Sequence, residues 1–272
     1  MKSTLFTILI CFICLTIQAQ KVNDSTSPLH LMKRDYDTPY GKPEVKSIAE
    51  VLDRVYNYLD QTTYMALINK DSQAEVTDYS KIDEKTIFKP GDFRLNSYEW
   101  GVTYAGMLLA SETTGDPKYA LYTKSRLKFL AEIHPWYVKL ELKQPKSRHA
   151  FAHVLNPHAL DDCGAMCAAM IKTQQLPGFD GDLKPMINTF ADYISTKEFR
   201  FPDGTLARNR PLPNSLWLDD LFMSVPALAQ MGNYSGEMKY FDDAVKQVLQ
   251  FADRMFNHDN GLFMHGWVMG MN

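Results

Sequence analysis

Cysteine is scarce in this chain. There are four, and two of them, Cys11 and Cys14, fall in the first twenty residues. The other two, Cys163 and Cys167, lie four apart on a predicted helix, where the Cβ directions fit disulfide geometry poorly. Two buried free thiols are expected, and a zinc site there would need further ligands at tight spacing, which the sequence does not show. Charge of one sign is lacking too. The net charge is −3 over 272 residues, with no block of like charges, which leaves no footprint for nucleic acid or an anionic membrane. Long apolar runs are absent beyond Leu5 to Thr16, which is too short to span a bilayer comfortably. There is also no series of alternating strands. "KEFRFPDGTLARNRPLP" is the one expected short hairpin, with Asp203-Gly204 at its turn.

What is present at the N-terminus has the layout of a secretory signal. Lys2 supplies the positive end, Leu5 to Thr16 the apolar run, and Ile17-Gln18-Ala19-Gln20 a cleavage site. Residues 1–20 are therefore expected to be removed. The product is secreted or periplasmic, with no membrane anchor after cleavage. Residues 21–43 read as a loosely held polar arm. Residues 44–272 read as one domain, a length that can bury a substantial core.

Helices follow one another through that domain. "VKSIAEVLDRVYNYLDQTT" carries Ile48, Val51, Val55, Tyr58 and Leu59 at the spacing of a one-faced helix. "NSYEWGVTYAGMLLASETTG" is apolar nearly all round and stops at Gly115, and the next helix starts at Asp116-Pro117, a cap followed by proline in the first turn. "LLASETTGDPKYALYTKSRLKFLAE" resembles "ALAQMGNYSGEMKYFDDAVKQVLQFA", with a weaker copy between them, roughly 50–70 residues apart. Apolar helices at 98–113, 159–174 and 215–231 alternate with amphipathic ones at 117–132, 182–196 and 237–255. That alternation favours a closed double ring, apolar helices inside and amphipathic helices outside. The stretch from Pro135 to Pro157 lacks periodicity and reads as a long loop.

Two of the apolar helices open on paired aspartates. "NSLWLDDLFMSVPALAQMG" places Asp219 and Asp220 at the start of one, with Asn214 or Ser215 as its cap, and "NPHALDDCGAMCAAM" places Asp161 and Asp162 at the start of another. Carboxylates favour helix N-termini by roughly 0.3–1 kcal/mol each. That accounts for one aspartate better than for two neighbours, which point about 100° apart. Two such ends on one cleft would bring carboxylates together, the usual equipment for acid–base work on sugars. Twelve per cent aromatic residues suits stacking surfaces in a carbohydrate cleft, although most rings will be core. Arg208 and Arg210 could hold an anionic substrate, but a solvated loop is the plainer expectation for both.

Trp217-Leu218-Asp219-Asp220-Leu221-Phe222-Met223, Asp161-Asp162-Cys163-Gly164 and the segment ending His265-Gly266-Trp267 resemble the unsaturated glycuronyl hydrolases. The resemblance is nearer to the unsaturated rhamnogalacturonyl hydrolases of glycoside hydrolase family 105, related to family 88, and covers Tyr98 to Trp267. It implies an all-α (α/α)6 barrel of helical hairpins. The helices readable in this sequence are fewer than six hairpins need, and the family's downstream segment with a further tryptophan and arginine is missing. The barrel is therefore expected to be truncated at the C-terminus, a fragment of a longer protein.

The resemblance also implies the chemistry. The substrate is an oligosaccharide ending in a 4,5-unsaturated uronic acid, left by a polysaccharide lyase acting on pectin (rhamnogalacturonan). Hydration of the vinyl ether removes that sugar, with no metal and no organic cofactor. By motif, Asp219 donates the proton and then activates water, and Asp162 is the second carboxylate, with Asp161 as the alternative if the helix is phased differently. Trp217 lines the sugar site, Tyr98 stacks on the unsaturated ring and His265 contacts substrate. Met223, one turn after Asp219, reaches the same cleft or packs in the core. Two other readings compete: a conventional inverting glycosidase on the same barrel, and a non-catalytic carbohydrate-binding fragment.

Overall fold

The computed structural model describes residues 44–145 and 148–271. The expected signal at 1–20 and arm at 21–43 lie outside the described residues. The chain divides into two units, 1–50 and 51–272. Of the first, the described part is the beginning of helix α1 (Val45–Thr62), where the Ile48 N–H donates to the Glu44 carbonyl at 3.0 Å.

The second unit carries the rest of α1 and seven further helices among the described residues. These are α2 (Tyr98–Thr114), α3 (Pro117–Lys143), α4 (Ala152–Leu155), α5 (Leu160–Gln174), α6 (Lys184–Asp192), α7 (Leu218–Ser235) and α8 (Met238–Met255). A π-turn, Tyr193–Lys197, extends α6. None of the helices is long and apolar enough to cross a membrane. Their starts and stops follow local chemistry. The Asp116 carboxylate accepts the Lys118 N–H ahead of Pro117, which opens α3. Gly115 and Gly236 end α2 and α7 at φ +75°, a left-handed geometry that glycine takes without Cβ strain. Each of these glycines precedes a Lys-Tyr in the following helix, so the repeat seen in the sequence is a repeated helical hairpin.

Helix α5 takes the inner place that the alternation predicts. Helix α5 packs on α2 and on α7, while α3, α6 and α8 pack on α2, α5 and α7 respectively. Eleven of the 15 residues of α5 are buried. The inner helices meet backbone to backbone. A Cβ on Gly164 would lie 1.8 Å from the Met223 carbonyl oxygen, and one on Gly101 would lie 2.4 Å from the Met166 nitrogen. Both contacts fall within two turns of the helix starts, so the N-terminal ends of α2, α5 and α7 lie side by side. Cys163 and Cys167 are buried free thiols on α5, and burial pushes Cys167 up to about 12.

The structure departs from the sequence reading in four places. The expected loop from Pro135 is helical as far as Lys143, and α4 follows within the rest. Proline inside a helix forfeits a hydrogen bond and costs roughly 3 kcal/mol. Here Ile133, Tyr137 and Leu140 are buried beyond it, and Tyr137 stacks on Phe151 at 5.2 Å and donates its hydroxyl to the Thr86 carbonyl. On α1 the side that meets the core is Leu52, Tyr56 and Leu59. Val51, Val55 and Tyr58, expected on the buried face, are exposed. Polar ties from Asp53 to Lys118 and from Asp60 to Arg126 fix that rotation against α3. Neither Asn214 nor Ser215 caps α7. Trp217 is the N-cap residue, with no side-chain cap bond, because residues 215–217 are already committed to a strand. Finally, three short antiparallel ladders accompany the expected hairpin. They pair β1 (Leu67–Asn69) with β2 (Thr86–Phe88), β3 (Ser215–Trp217) with β6 (Gly266–Val268), and β4 (Phe256–Asn257) with β5 (Leu262–Phe263).

Candidate active site

Strand β3 and the hairpin before it build the site. Phe201 and Thr205 close the hairpin by an N–H to carbonyl bond of 2.9 Å, with Gly204 at φ +87° in the turn. The returning strand then pairs Arg208 with Ser215 through two backbone bonds, 2.8 and 2.9 Å long. Ser215, Leu216 and Trp217 pair in turn with Val268, Trp267 and Gly266. The Leu218 N–H donates to the His265 carbonyl at 2.8 Å. Arg208, Trp217 and His265 are thereby brought together at the N-terminal end of α7, although 57 residues separate the outer two. The ring of His265 lies 5.8 Å from that of Trp217.

Arg208 is the hub of the cluster. Its Nε and Nη2 donate to the two oxygens of Asp220, forming a bidentate pair. Nη2 also donates to the Asp161 carboxylate at 3.1 and 3.2 Å and stands 3.9 Å from Asp219 Oδ2. The guanidinium carbon sits 4.4 Å from the centre of the Trp217 ring, a cation–π contact. Three carboxyl groups share one guanidinium. Burial of Asp220 pushes its carboxyl up to about 6 against the opposing pull of Arg208, and the charges of Asp161 and Asp219 push it the same way. Burial works against the charge on Arg208, but the bond to Asp220 and the three negative groups outweigh it and hold the guanidinium firmly protonated.

The two aspartates at the start of α7 differ sharply. Asp220 is 1% exposed and fully engaged. The Asp219 side chain is 40% exposed, yet its Oδ1 is buried and has no hydrogen-bond partner among the described residues. A carboxyl that is open on one side and unsatisfied on the other stands out, because buried polar atoms are ordinarily hydrogen-bonded.

At the start of α5 the pair divides as well. Asp161, not Asp162, meets Arg208 and shares a guanidinium with Asp219 and Asp220. Asp162 turns to the preceding loop, where Oδ2 accepts the His158 N–H at 2.9 Å and lies 2.7 Å from His158 Nδ1. His153 Nδ1 is 3.7 Å from Oδ1. Among the described residues these three form the one group of His, Cys, Asp or Glu with donor atoms spaced to hold a metal. Tyr98 begins α2 and is 44% exposed, while Met223 is buried with its backbone against Gly164.

Arg208 is the residue that sequence reasoning weighed and assigned to a solvated loop. It does not belong to a solvated loop, as expected, because its side chain is only 11% exposed. The available signal was its place directly after the apolar pair Leu206-Ala207, both buried, in the returning arm of the expected hairpin. Arg210 is more open, and its Nη2 donates to the His158 carbonyl at 2.6 Å.

Known proteins share this fold. One similar structure is a possible member of the GH105 family from Salmonella enterica subsp. enterica serovar Paratyphi A str. ATCC 9150. It is 16% identical, with a TM-score of 0.51 over 86% of this chain and 55% of its own. A second is a possible member of the GH105 family from Klebsiella pneumoniae subsp. pneumoniae MGH 78578, 16% identical, with a TM-score of 0.53 over 93% of this chain and 58% of its own. The chain thus spans somewhat more than half the length of these two structures, with which it shares the helical-hairpin architecture of the (α/α)6 barrel. No curated protein matches the sequence. Residues 64–271 match Glycosyl Hydrolase Family 88, a span that takes in Asp161, Arg208, Trp217, Asp219, Asp220 and His265, and the chain belongs to that family.

Proposed function

We propose that the protein is an unsaturated glycuronyl hydrolase. It removes a 4,5-unsaturated uronic acid from the non-reducing end of lyase-generated oligosaccharides, with rhamnogalacturonan fragments of pectin as the substrate class. The observation that carries this reading is the state of Asp219. It is an accessible carboxyl at the start of an inner helix, with one oxygen unpartnered and an aromatic ring, Trp217, two residues before it. In the reaction, Asp219 delivers a proton to C4 of the vinyl ether and then takes one from the water that adds at C5. The hemiketal so formed opens and expels the remaining sugar chain. Arg208 supports the reading by keeping a positive charge 3.9 Å from Asp219 as its carboxylate forms.

Trp217, Tyr98 and His265 are the substrate-facing groups in this proposal. Asp162 is the second carboxylate by family resemblance, and Asp161 holds that place by proximity to Arg208. The signal-like N-terminus supports export to the periplasm or the medium, where such oligosaccharides arise. The test follows the chromophore. Incubation with an unsaturated disaccharide should abolish the ultraviolet absorbance of the enol ether as the saturated sugar is released. Release of sugar from saturated glycosides, with that absorbance untouched, would replace this reading by a conventional inverting glycosidase.

A further inference from the structure

The connection between α4 and α5 gathers, around Asp162, two histidines to which the sugar chemistry gives no role. His153 is on α4, His158 is in the connecting loop and Asp162 is in the first turn of α5. One donor atom from each lies within 4.8 Å of the other two. A single ion pair with Asp162 would account for His158 alone. His153 is 62% exposed and too far from the carboxylate for a hydrogen bond at 3.7 Å, yet it converges on the same group. The two imidazoles stand 5.3 Å apart, tilted by 31°. Among the described residues no lysine or arginine pairs with Asp162, whereas Asp161 next to it takes Arg208.

We propose that His153, His158 and Asp162 form a binding site for one divalent transition-metal cation of the zinc type. A metal takes imidazole as a neutral ligand and the carboxylate as an anion, and imidazole nitrogen selects zinc, copper or nickel over magnesium and calcium. Bonds of roughly 2.0–2.2 Å in a tetrahedral arrangement separate the donors by about 3.3–3.6 Å. His158 Nδ1 lies 2.7 Å from Asp162 Oδ2 and His153 Nδ1 lies 3.7 Å from Asp162 Oδ1, one ring on each carboxylate oxygen. One donor atom from each residue lies within 4.8 Å of the others, and both rings are exposed and can turn towards a shared ion. The carboxylate is already oriented by the His158 N–H, and Arg210 holds the His158 carbonyl from the other side. Exposure of both rings leaves an entry path and room for water as a fourth ligand.

Titration calorimetry with Zn2+ on chelator-stripped protein tests this directly. One site is expected, with no binding of Mg2+. His153→Ala and His158→Ala should each weaken Zn2+ by roughly tenfold or more, and the double variant should abolish the site. Both positions are exposed, so unchanged circular dichroism and melting temperature should accompany the loss. Absence of Zn2+ binding in the wild type, or equal affinity in the double variant, overturns the proposal. The readout is heat, independent of turnover, so failure of the glycuronyl hydrolase reading would leave it standing.

Discussion

Arg208 grips Asp220 with two N–H groups along one edge of its guanidinium, and the pair lies almost wholly out of solvent, with side-chain exposures of 11% and 2%. Removing one member of such a pair leaves the other charge buried without its partner. Arg208→Ala should therefore destabilise the fold by about 3–5 kcal/mol, read from denaturant midpoints at constant slope. Arg208→Lys should recover only part of the loss, because an ammonium cannot match both oxygens of Asp220 and also lie over Trp217. A loss below about 1 kcal/mol, the scale of an exposed pair, would mean that the cluster is open to water.

The same pair sets a pH dependence. Burial raises the folded-state value of Asp220 to about 6, above its ordinary value. The folded protein therefore holds a proton that the unfolded chain has released between roughly pH 4 and 6. The contribution from this group is fully present below the unfolded value and is lost as pH rises through the folded one. Asp220→Asn cannot titrate. Unfolding free energies measured from pH 4 to 7 should show a downward component in the wild type that the variant lacks. Identical pH profiles would show that Arg208 keeps Asp220 ionised throughout.

Two glycines on the inner helices test the close approach that forms the site. A Cβ at Gly164 would meet the Met223 carbonyl at 1.8 Å, and neither backbone can move without separating α5 from α7. Gly164→Ala should cost about 3 kcal/mol or more, at the upper end of overpacking effects. Gly106, on α2, has nothing within 4 Å of an added Cβ. Gly106→Ala should stabilise by about 0.5–1 kcal/mol through helix propensity alone. Thermal melts of both variants separate a contact glycine from a merely permissive one.

These contrasts show which features were legible in the chain. Gly115 and Asp116-Pro117 bound their helices because capping chemistry is local, and the central place of α5 could be read because burial on most faces leaves its mark on composition. Pro135 misled because the packing of Tyr137 and Leu140 overrides a local rule from a distance. The facing of α1 was misread because Val51 and Leu52 are equally apolar, and only the tertiary ties of Asp53 and Asp60 choose between the two sides. At the site, the paired aspartates were visible as a pattern. Arg208 was not, since a hairpin 11 residues upstream of Asp219 acquires its meaning only when β3 folds back on it.

Asp219 and Asp220 then separate chemistry from architecture. Asp219 is 40% exposed with an unpartnered oxygen, so Asp219→Asn removes a transferable proton while costing no buried contact. Turnover of the unsaturated substrate should fall by about 10²–10⁴-fold, with the melting temperature nearly unchanged. Asp220→Asn acts on the opposite property. Arg208 keeps Asp161 at 3.1 Å, so the loss should stay near about 1–3 kcal/mol of stability. Any fall in rate should come through a displaced Arg208 and be repaired at lower temperature or higher substrate. Initial rates of chromophore loss and melting curves on the two variants distinguish the roles. Near-normal turnover in Asp219→Asn, together with a well-folded but inactive Asp220→Asn, would transfer the proton chemistry to the buried aspartate and leave Asp219 as a bystander at the rim.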